Sequence, residues 1–266
     1  MTPAPKTFQR WNFSTEAVVK AKGSRRVSVI IPARNEEATV ADVVTAVAEP
    51  HVASRGGSGL VDEILVVNDA STDATGTAAA NAGARVIHRA SSQGKGSAMQ
   101  AGVEAATGDL VIFLDADVLN TRPDYISALL GPLVSDDSIA LVKGFYERPL
   151  HDAPTGGGRV TELLAKPIID LAFPALSAIH QPLAGETAAP RTVLRKFEFA
   201  PGYGVEIGLL IDVASAFGVD RIAQVDLGVR VHRNRPMSEL RPMATEVLAA
   251  ALERQHLDLR DGQERG

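Results

Sequence analysis

The sequence contains no cysteine, which excludes both disulfides and thiolate metal sites. It has no apolar run approaching the ~20 residues of a transmembrane helix, and its N-terminal stretch MTPAPKTFQRWNFS lacks the apolar centre of a signal peptide. A net charge of -5 over 266 residues argues against a general nucleic-acid binder. We therefore expect a cytoplasmic protein that binds no nucleic acid and has no stable membrane insertion.

Two common nucleotide-binding signatures are also absent. No G-x-G-x-x-G follows the first predicted strand, where PARNEE stands instead, and this disfavours a nicotinamide or flavin site. The Walker motif G-x-x-x-x-G-K-[ST] is missing as well. Any nucleotide must therefore be held by other residues.

What the first half does contain is an alternation of strand and helix patterns. Apolar strand patterns at 27–33, 63–69, 85–89 and 109–117 alternate with helical patterns at 35–50, 71–84 and 94–108. Near-continuous apolar strands between helices predict an α/β fold, with a Rossmann-type, mostly parallel sheet covered by helices on both faces. Ligands bind outside the carboxyl ends of such strands. The strand-end motifs PARNEE, NDAST and DAD are therefore the candidate site.

The DAD motif places Asp115 and Asp117 on either side of Ala116, directly after an apolar run. Two carboxylates this close repel each other unless a cation lies between them, and oxygen ligands suit Mg²⁺ or Mn²⁺. Because Mg²⁺ keeps coordination positions open for phosphate oxygens, the motif suggests a nucleoside diphosphate site. The alternative is a pair of solvated acids in a turn.

Other polar residues follow the first three strands. Asn35 and Glu36 could hold a base or ribose, but they would also serve as the N-cap and first-turn acids of the next helix. Asp69 is placed to accept a hydrogen bond from a nucleobase. Lys95 stands between two glycines before a helix, where backbone amides favour an anion.

The second half carries further candidates for anion binding. TGGGRVTEL places Arg159 and Thr161 at a predicted helix start, which suits a phosphate, although a flexible surface loop is the alternative. In VRVHRNRPM, a cluster of arginines surrounds His232, which could be a third metal ligand beside the two aspartates. Glu206 opens an apolar helix, where an acid can also be purely structural.

Five longer motifs carry a resemblance to a known family. PGYGVEIGLL, TGGGRVTEL, VKGFYERPL, QPLAGE and GVRVHRNRP resemble those of the glucosyl- and mannosyl-3-phosphoglycerate synthases, which are retaining nucleotide-sugar transferases with the fold called GT-A. The resemblance extends from about Trp11 to about Ala250 and implies hexose transfer, first of all of glucose, from a UDP- or GDP-sugar to the 2-hydroxyl of 3-phosphoglycerate. It also implies Mg²⁺ or Mn²⁺ and a homodimer. Mannose transfer, a nucleotidyltransferase and a non-catalytic nucleotide-binding module remain alternatives.

The same resemblance implies roles for individual residues and regions. The donor would be bound by Pro32, Ala33, Glu36, Asp69, Lys95, Asp115, Ala116 and Tyr203, and the acceptor by Gly158, Arg159, Val160, Thr161 and Asn234. The metal would be bound by Asp115, Asp117 and His232, and Glu206, Asp117 and Arg230 would be catalytic. We predict an N-terminal extension (1–25), a nucleotide-sugar-binding half (26–139), an acceptor-binding half of the same domain (140–256) and a tail (257–266).

Overall fold

A computed structural model describes residues 4–147, 149–150, 153–156, 158–230 and 237–263. Its strands are β1 (Lys6–Gln9), β2 (Val27–Ala33), β3 (Glu63–Asn68), β4 (Arg85–His88), β5 (Leu110–Phe113), β6 (Leu141–Glu147), β7 (Pro149–Leu150), β8 (Ala153–Gly156), β9 (Thr187–Pro190) and β10 (Ile222–Val229). Its α-helices are α1 (Thr15–Lys22), α2 (Val40–His51), α3 (Thr75–Ala82), α4 (Lys95–Ala105), α5 (Asp124–Ser135), α6 (Lys166–Ala172), α7 (Arg191–Leu194), α8 (Val205–Phe217) and α9 (Met237–Gln263).

The described strands form one eight-stranded sheet in the order β1-β10-β6-β9-β5-β2-β3-β4, and β7 and β8 form a separate hairpin. Every neighbouring pair in the large sheet is parallel except the two pairs made by β9, which runs antiparallel to both β5 and β6. The prediction of a mostly parallel sheet is therefore confirmed. The carboxyl ends of the parallel strands lie along one edge, and the amino end of β9 lies there too.

Helices cover both faces of this sheet, as the apolar strand patterns predict. On one face the buried core includes Val44 of α2 and Leu129 of α5. On the other face it includes Met99 of α4, Leu210 of α8 and Val247 of α9. Because both faces are buried, β2 and β5 need the continuous apolar sequences that the chain has there. Among the described helices, none has the length and apolar character needed to cross a bilayer.

Several element boundaries differ from those predicted. Residues 6–9, which belong to the predicted N-terminal extension, pair with β10 and form an edge of the sheet. The strand predicted over 109–117 ends at Phe113, so both aspartates of the DAD motif lie in the loop that follows it. The terminal helix extends to Gln263, well into the predicted tail. The sheet therefore joins the N-terminal segment and both predicted halves.

Candidate active site

An open cleft with a volume of about 1110 Å³ lies along the carboxyl edge of the sheet. Its lining includes all the predicted site residues that the structure describes, namely Pro32, Ala33, Glu36, Asp69, Lys95, Asp115, Ala116, Asp117, Gly158, Arg159, Val160, Thr161, Tyr203, Glu206 and Arg230. The other two, His232 and Asn234, lie outside the described residues. The volume exceeds that of most small-molecule pockets, so a nucleotide sugar and a second small ligand can fit together.

The reversed strand β9 brings to this edge a residue that the sequence analysis did not predict. Because β9 runs antiparallel to β5 and β6, it starts where they end, and Glu186 just before it lies beside the DAD loop and is 1% exposed. Gly185 makes this approach possible, since a Cβ there would overlap the carboxylate of Asp115. The amide of Gly144 on β6 donates to the main-chain oxygen of Glu186 at 2.8 Å and holds this turn in place.

A chain of alternating charges runs across the floor of the cleft. Lys95 Nζ lies 2.5 Å from Glu206 Oε1 and 2.6 Å from Asp115 Oδ1. Arg230 contacts Asp115 Oδ2 at 2.8 Å through one terminal nitrogen and Glu186 Oε1 at 2.7 Å through the other. The carboxylate of Asp115 therefore lies between two cations, one from the start of α4 and one from the end of β10.

These ion pairs determine the protonation states of Asp115 and Lys95. Burial opposes the charge of Asp115, but Lys95 and Arg230 outweigh it and hold the pKa of this carboxyl well below its usual range. Burial likewise opposes the charge of Lys95, but the carboxylates of Asp115 and Glu206 raise the pKa of its amino group. Both side chains therefore stay ionised across the physiological pH range.

Arg230 is a cation that contacts both aspartates of the DAD motif, with 2.8 Å to Asp115 and 3.4 Å to Asp117. Within the described residues no three acidic or histidine side chains are arranged to hold a metal, and the predicted third ligand His232 lies outside them. The donor chemistry of Asp117, whose side chain is 22% exposed at the cleft, nevertheless fits Mg²⁺ or Mn²⁺, which in phosphate sites uses one or two carboxylates plus substrate oxygens.

On the donor side, the loops after β2 and β3 hold each other. Asn35 has a φ of 56°, and its side-chain oxygen accepts from the amide of Thr72 at 2.9 Å. The interpretation of Asn35 and Glu36 as the N-cap and first-turn acids of a helix is wrong, because α2 begins only at Val40 with Thr39 as its N-cap. Both residues shape the loop instead.

Asp69 supports the loop that precedes α4. Its carboxylate accepts from the Ser92 hydroxyl at 2.6 Å and from the Gly94 amide at 3.2 Å. It also pairs with Arg89 at 3.1 Å. This network presents Gly94 and Lys95 to the cleft, while hydrogen bonding of Asp69 to a nucleobase stays a prediction.

The predicted acceptor residues stand at the start of a helical run over 159–172, which contains a π-helical turn (Thr161–Ala165) from its third residue on. Gly158 has a φ of 79°, a left-handed conformation that favours glycine, and Thr161 is 8% exposed. A helix start of this kind offers backbone amides to an anion, and Arg159 lines the cleft at the first residue of this run.

Helix α9 forms a wall of the cleft that the sequence analysis did not predict. Leu240, Met243 and Val247 line it, and their spacing is typical of one apolar face of a helix. The carboxylate of Glu246 accepts from the Tyr203 amide at 2.7 Å. Through this bond α9 holds the 3-10 turn Gly202–Gly204 that leads into α8 and Glu206.

The fold and cleft define a nucleotide-sugar glycosyltransferase of the GT-A type. The family model described as "Glycosyl transferase family 2" matches residues 28–164. The chain is 44% identical to glucosyl-3-phosphoglycerate synthase from Mycobacterium tuberculosis, over 95% of this chain and 80% of the relative. It belongs to glycosyl transferase family 2 and, within it, to the glucosyl-3-phosphoglycerate synthase family.

Solved structures of a relative have the same fold as this chain. A crystal structure of the M. tuberculosis glucosyl-3-phosphoglycerate synthase in complex with Mn²⁺, uridine-diphosphate-glucose and phosphoglyceric acid matches with a TM-score of 0.87 at 42% identity, covering 96% of this chain and 89% of that one. A second, in complex with Mg²⁺ and uridine diphosphate, matches with a TM-score of 0.85 at 43% identity, covering 95% and 87%. The prediction of a GT-A-like fold is confirmed.

Proposed function

We propose that this protein transfers glucose from UDP-glucose to the 2-hydroxyl of 3-phosphoglycerate and forms glucosyl-3-phosphoglycerate. The observation that carries the proposal is that the described residues of both the donor motifs and the acceptor motif line one cleft. The ligands in the matching M. tuberculosis structure support the same pair of substrates. Asp117, with His232 as the predicted partner, would hold Mg²⁺ or Mn²⁺, which when bound stabilises negative charge on the departing diphosphate.

Protein side chains and backbone amides would contribute to catalysis by positioning the two substrates. Lys95 places a fixed positive charge at the floor of the cleft beside Asp115. Arg159 and the amides of the helix start would fix the phosphate and carboxylate of the acceptor. Holding both substrates in one orientation removes much of the entropic part of the barrier.

We infer that the anomeric configuration is retained through attack on the same face from which the diphosphate leaves, with a diphosphate oxygen taking the acceptor proton. The alternative, a covalent intermediate on Glu206, requires an available carboxylate. Glu206 is 6% exposed and paired with Lys95 at 2.5 Å, which weakens it as a nucleophile. Its place near the predicted sugar subsite suits contact with sugar hydroxyls instead. A glycosyl-Glu206 adduct trapped by mass spectrometry would overturn this choice.

The homodimer and the cytoplasmic location are proposals as well. Leu163 and Leu171, beside or on α6, are 78% and 86% exposed, and a subunit contact would cover such side chains. Light scattering during size-exclusion chromatography measures the mass directly. The cytoplasmic location is supported by the proposed substrates, which are charged phosphate esters, and cell fractionation checks it.

The function is tested with purified protein, 3-phosphoglycerate and a panel of UDP- and GDP-hexoses, each with and without Mg²⁺ or Mn²⁺. We expect turnover with UDP-glucose that depends on the metal and is lost in Asp117→Asn. Asp136→Asn, which changes an exposed acid paired with Lys6, is the matched control and should keep activity. Failure with every donor would refute the proposal, and preference for GDP-mannose would reassign the sugar.

A further inference from the structure

Arg230 is 3% exposed and lies among four acidic or hydroxyl side chains. One terminal nitrogen contacts the Tyr146 hydroxyl at 2.5 Å and Glu186 at 2.7 Å. The other contacts Asp115 at 2.8 Å but Asp117 only at 3.4 Å. The remaining nitrogen, Nε, is buried and finds no hydrogen-bond partner among the described residues. Among the described residues, the guanidinium is therefore hydrogen-bonded through its two terminal nitrogens.

This position matters because Arg230 and a divalent metal would compete for the same carboxylate. At 3.4 Å the guanidinium interacts weakly with Asp117, whereas a move of well under 1 Å would make a charge-assisted hydrogen bond. Such a bond would have to be broken each time the metal binds. The contacts on the opposite side of the guanidinium therefore affect how strongly Asp117 can bind a cation.

Those contacts are made by buried side chains. Glu186 is 1% exposed, and its main chain is fixed by the Gly144 amide at 2.8 Å. Tyr146 extends from β6 and is 4% exposed, and its ring centre lies 5.0 Å from the guanidinium carbon. Neither side chain lines the cleft. They contact the terminal nitrogen of Arg230 that does not contact the two aspartates.

We propose that Glu186, together with Tyr146, is a positioning residue that holds Arg230 back from Asp117 and so keeps this carboxylate available to the divalent metal. The inference rests on the proposed metal-dependent function. It gives a role to the acid of QPLAGE, which does not line the cleft. Loss of such an indirect partner typically weakens metal affinity by about 10- to 100-fold.

The test measures Mn²⁺ binding in the presence of UDP by electron paramagnetic resonance, which needs no turnover. Glu186→Gln should raise the dissociation constant for Mn²⁺ by about 10-fold or more, and excess Mn²⁺ should restore most of the activity. Glu63→Gln is the matched control, because Glu63 also pairs with an arginine, at 3.1 Å, but at the opposite end of β3. It should bind Mn²⁺ as the unchanged protein does.

Tyr146→Phe separates positioning from a simple loss of negative charge. It removes one hydrogen bond to Arg230 and changes no charge, so positioning predicts weaker Mn²⁺ binding on the order of 2- to 10-fold. If Glu186→Gln binds Mn²⁺ normally, or if it binds weakly while Tyr146→Phe is unchanged, the proposal is overturned. If Glu186→Gln does not fold, as thermal unfolding would show, Tyr146→Phe decides alone. Failure of the unchanged protein to bind Mn²⁺ with UDP would refute the proposed function itself.

Discussion

Lys143 is a buried cation directly behind the active-site charges. It lies in the middle of β6 and is 2% exposed, and its amino group donates to the main-chain oxygen of Ala184 at 2.5 Å and to the Thr187 hydroxyl at 3.1 Å. Burial lowers the pKa of this amino group from 10.5 to about 8, and the Glu206 carboxylate offsets only part of that effect. Between these two pH values the unfolded chain therefore binds a proton that the folded chain has lost.

Stability must then rise with pH in this window. A shift from 10.5 to about 8 corresponds to roughly 3 kcal/mol at 1.36 kcal/mol per pH unit. Between pH 7.5 and pH 9.5, the two pKa values give a rise in the free energy of unfolding of about 1.8 kcal/mol from this group alone. Lys143→Met removes the titrating group, so the variant should lack this rise.

The measurement is urea denaturation of the metal-free protein at both pH values, compared with Lys143→Met and with Lys20→Met. Lys20 is an exposed lysine of α1, so its variant should show the same pH dependence as the unchanged protein. The informative quantity is the difference in slope between variants, because other groups titrate alike in all three. Equal slopes for the unchanged protein and Lys143→Met would contradict a lowered pKa at Lys143.

Two further predictions concern substrate binding. Arg159→Lys should raise the KM for 3-phosphoglycerate by roughly 10-fold, since lysine cannot bind a phosphate in the bidentate manner of arginine. The KM for UDP-glucose should stay unchanged. Equal changes in both KM values would argue against a role of Arg159 in acceptor binding. Glu246→Ala should lower the free energy of unfolding by about 1 kcal/mol and raise the KM for UDP-glucose, because the Tyr203 amide loses its acceptor. Glu246→Gln keeps an oxygen there and should stay close to the unchanged protein, so identical behaviour of the two variants would count against this hydrogen bond.

The sheet could be predicted where strands are long and apolar, as in β2 and β3, because burial on both faces leaves a continuous hydrophobic pattern. It could not be predicted at β1 or β9. The sequence KTFQ is short and half polar, and TAAP has little strand propensity. The direction of β9 depends on which neighbours it pairs with, and no local pattern records this.

The candidate site, like the sheet, could be predicted only in part from the sequence. The strand-end rule led to Asp69, Asp115 and Asp117, since each stands directly after or close behind an apolar run. Glu186 and Tyr146 were missed because their importance lies in contacts with Arg230 at separations of 44 and 84 residues. A single sequence does not show which distant polar residues meet in the interior.

The arrangement around Arg230 also has a consequence for the order of events during synthesis. Asp117 precedes Arg230 by 113 residues, so at the usual ~5–20 residues per second a ribosome needs roughly 6 to 23 s to pass from one to the other. During that interval the early strands and helices are available to fold, and Lys95 is already present to neutralise Asp115. Competence to bind the metal and both substrates is therefore acquired only after β10 and Arg230 have been synthesised, and a chain that stops short of β10 lacks the cation that contacts Asp115, Asp117 and Glu186 together.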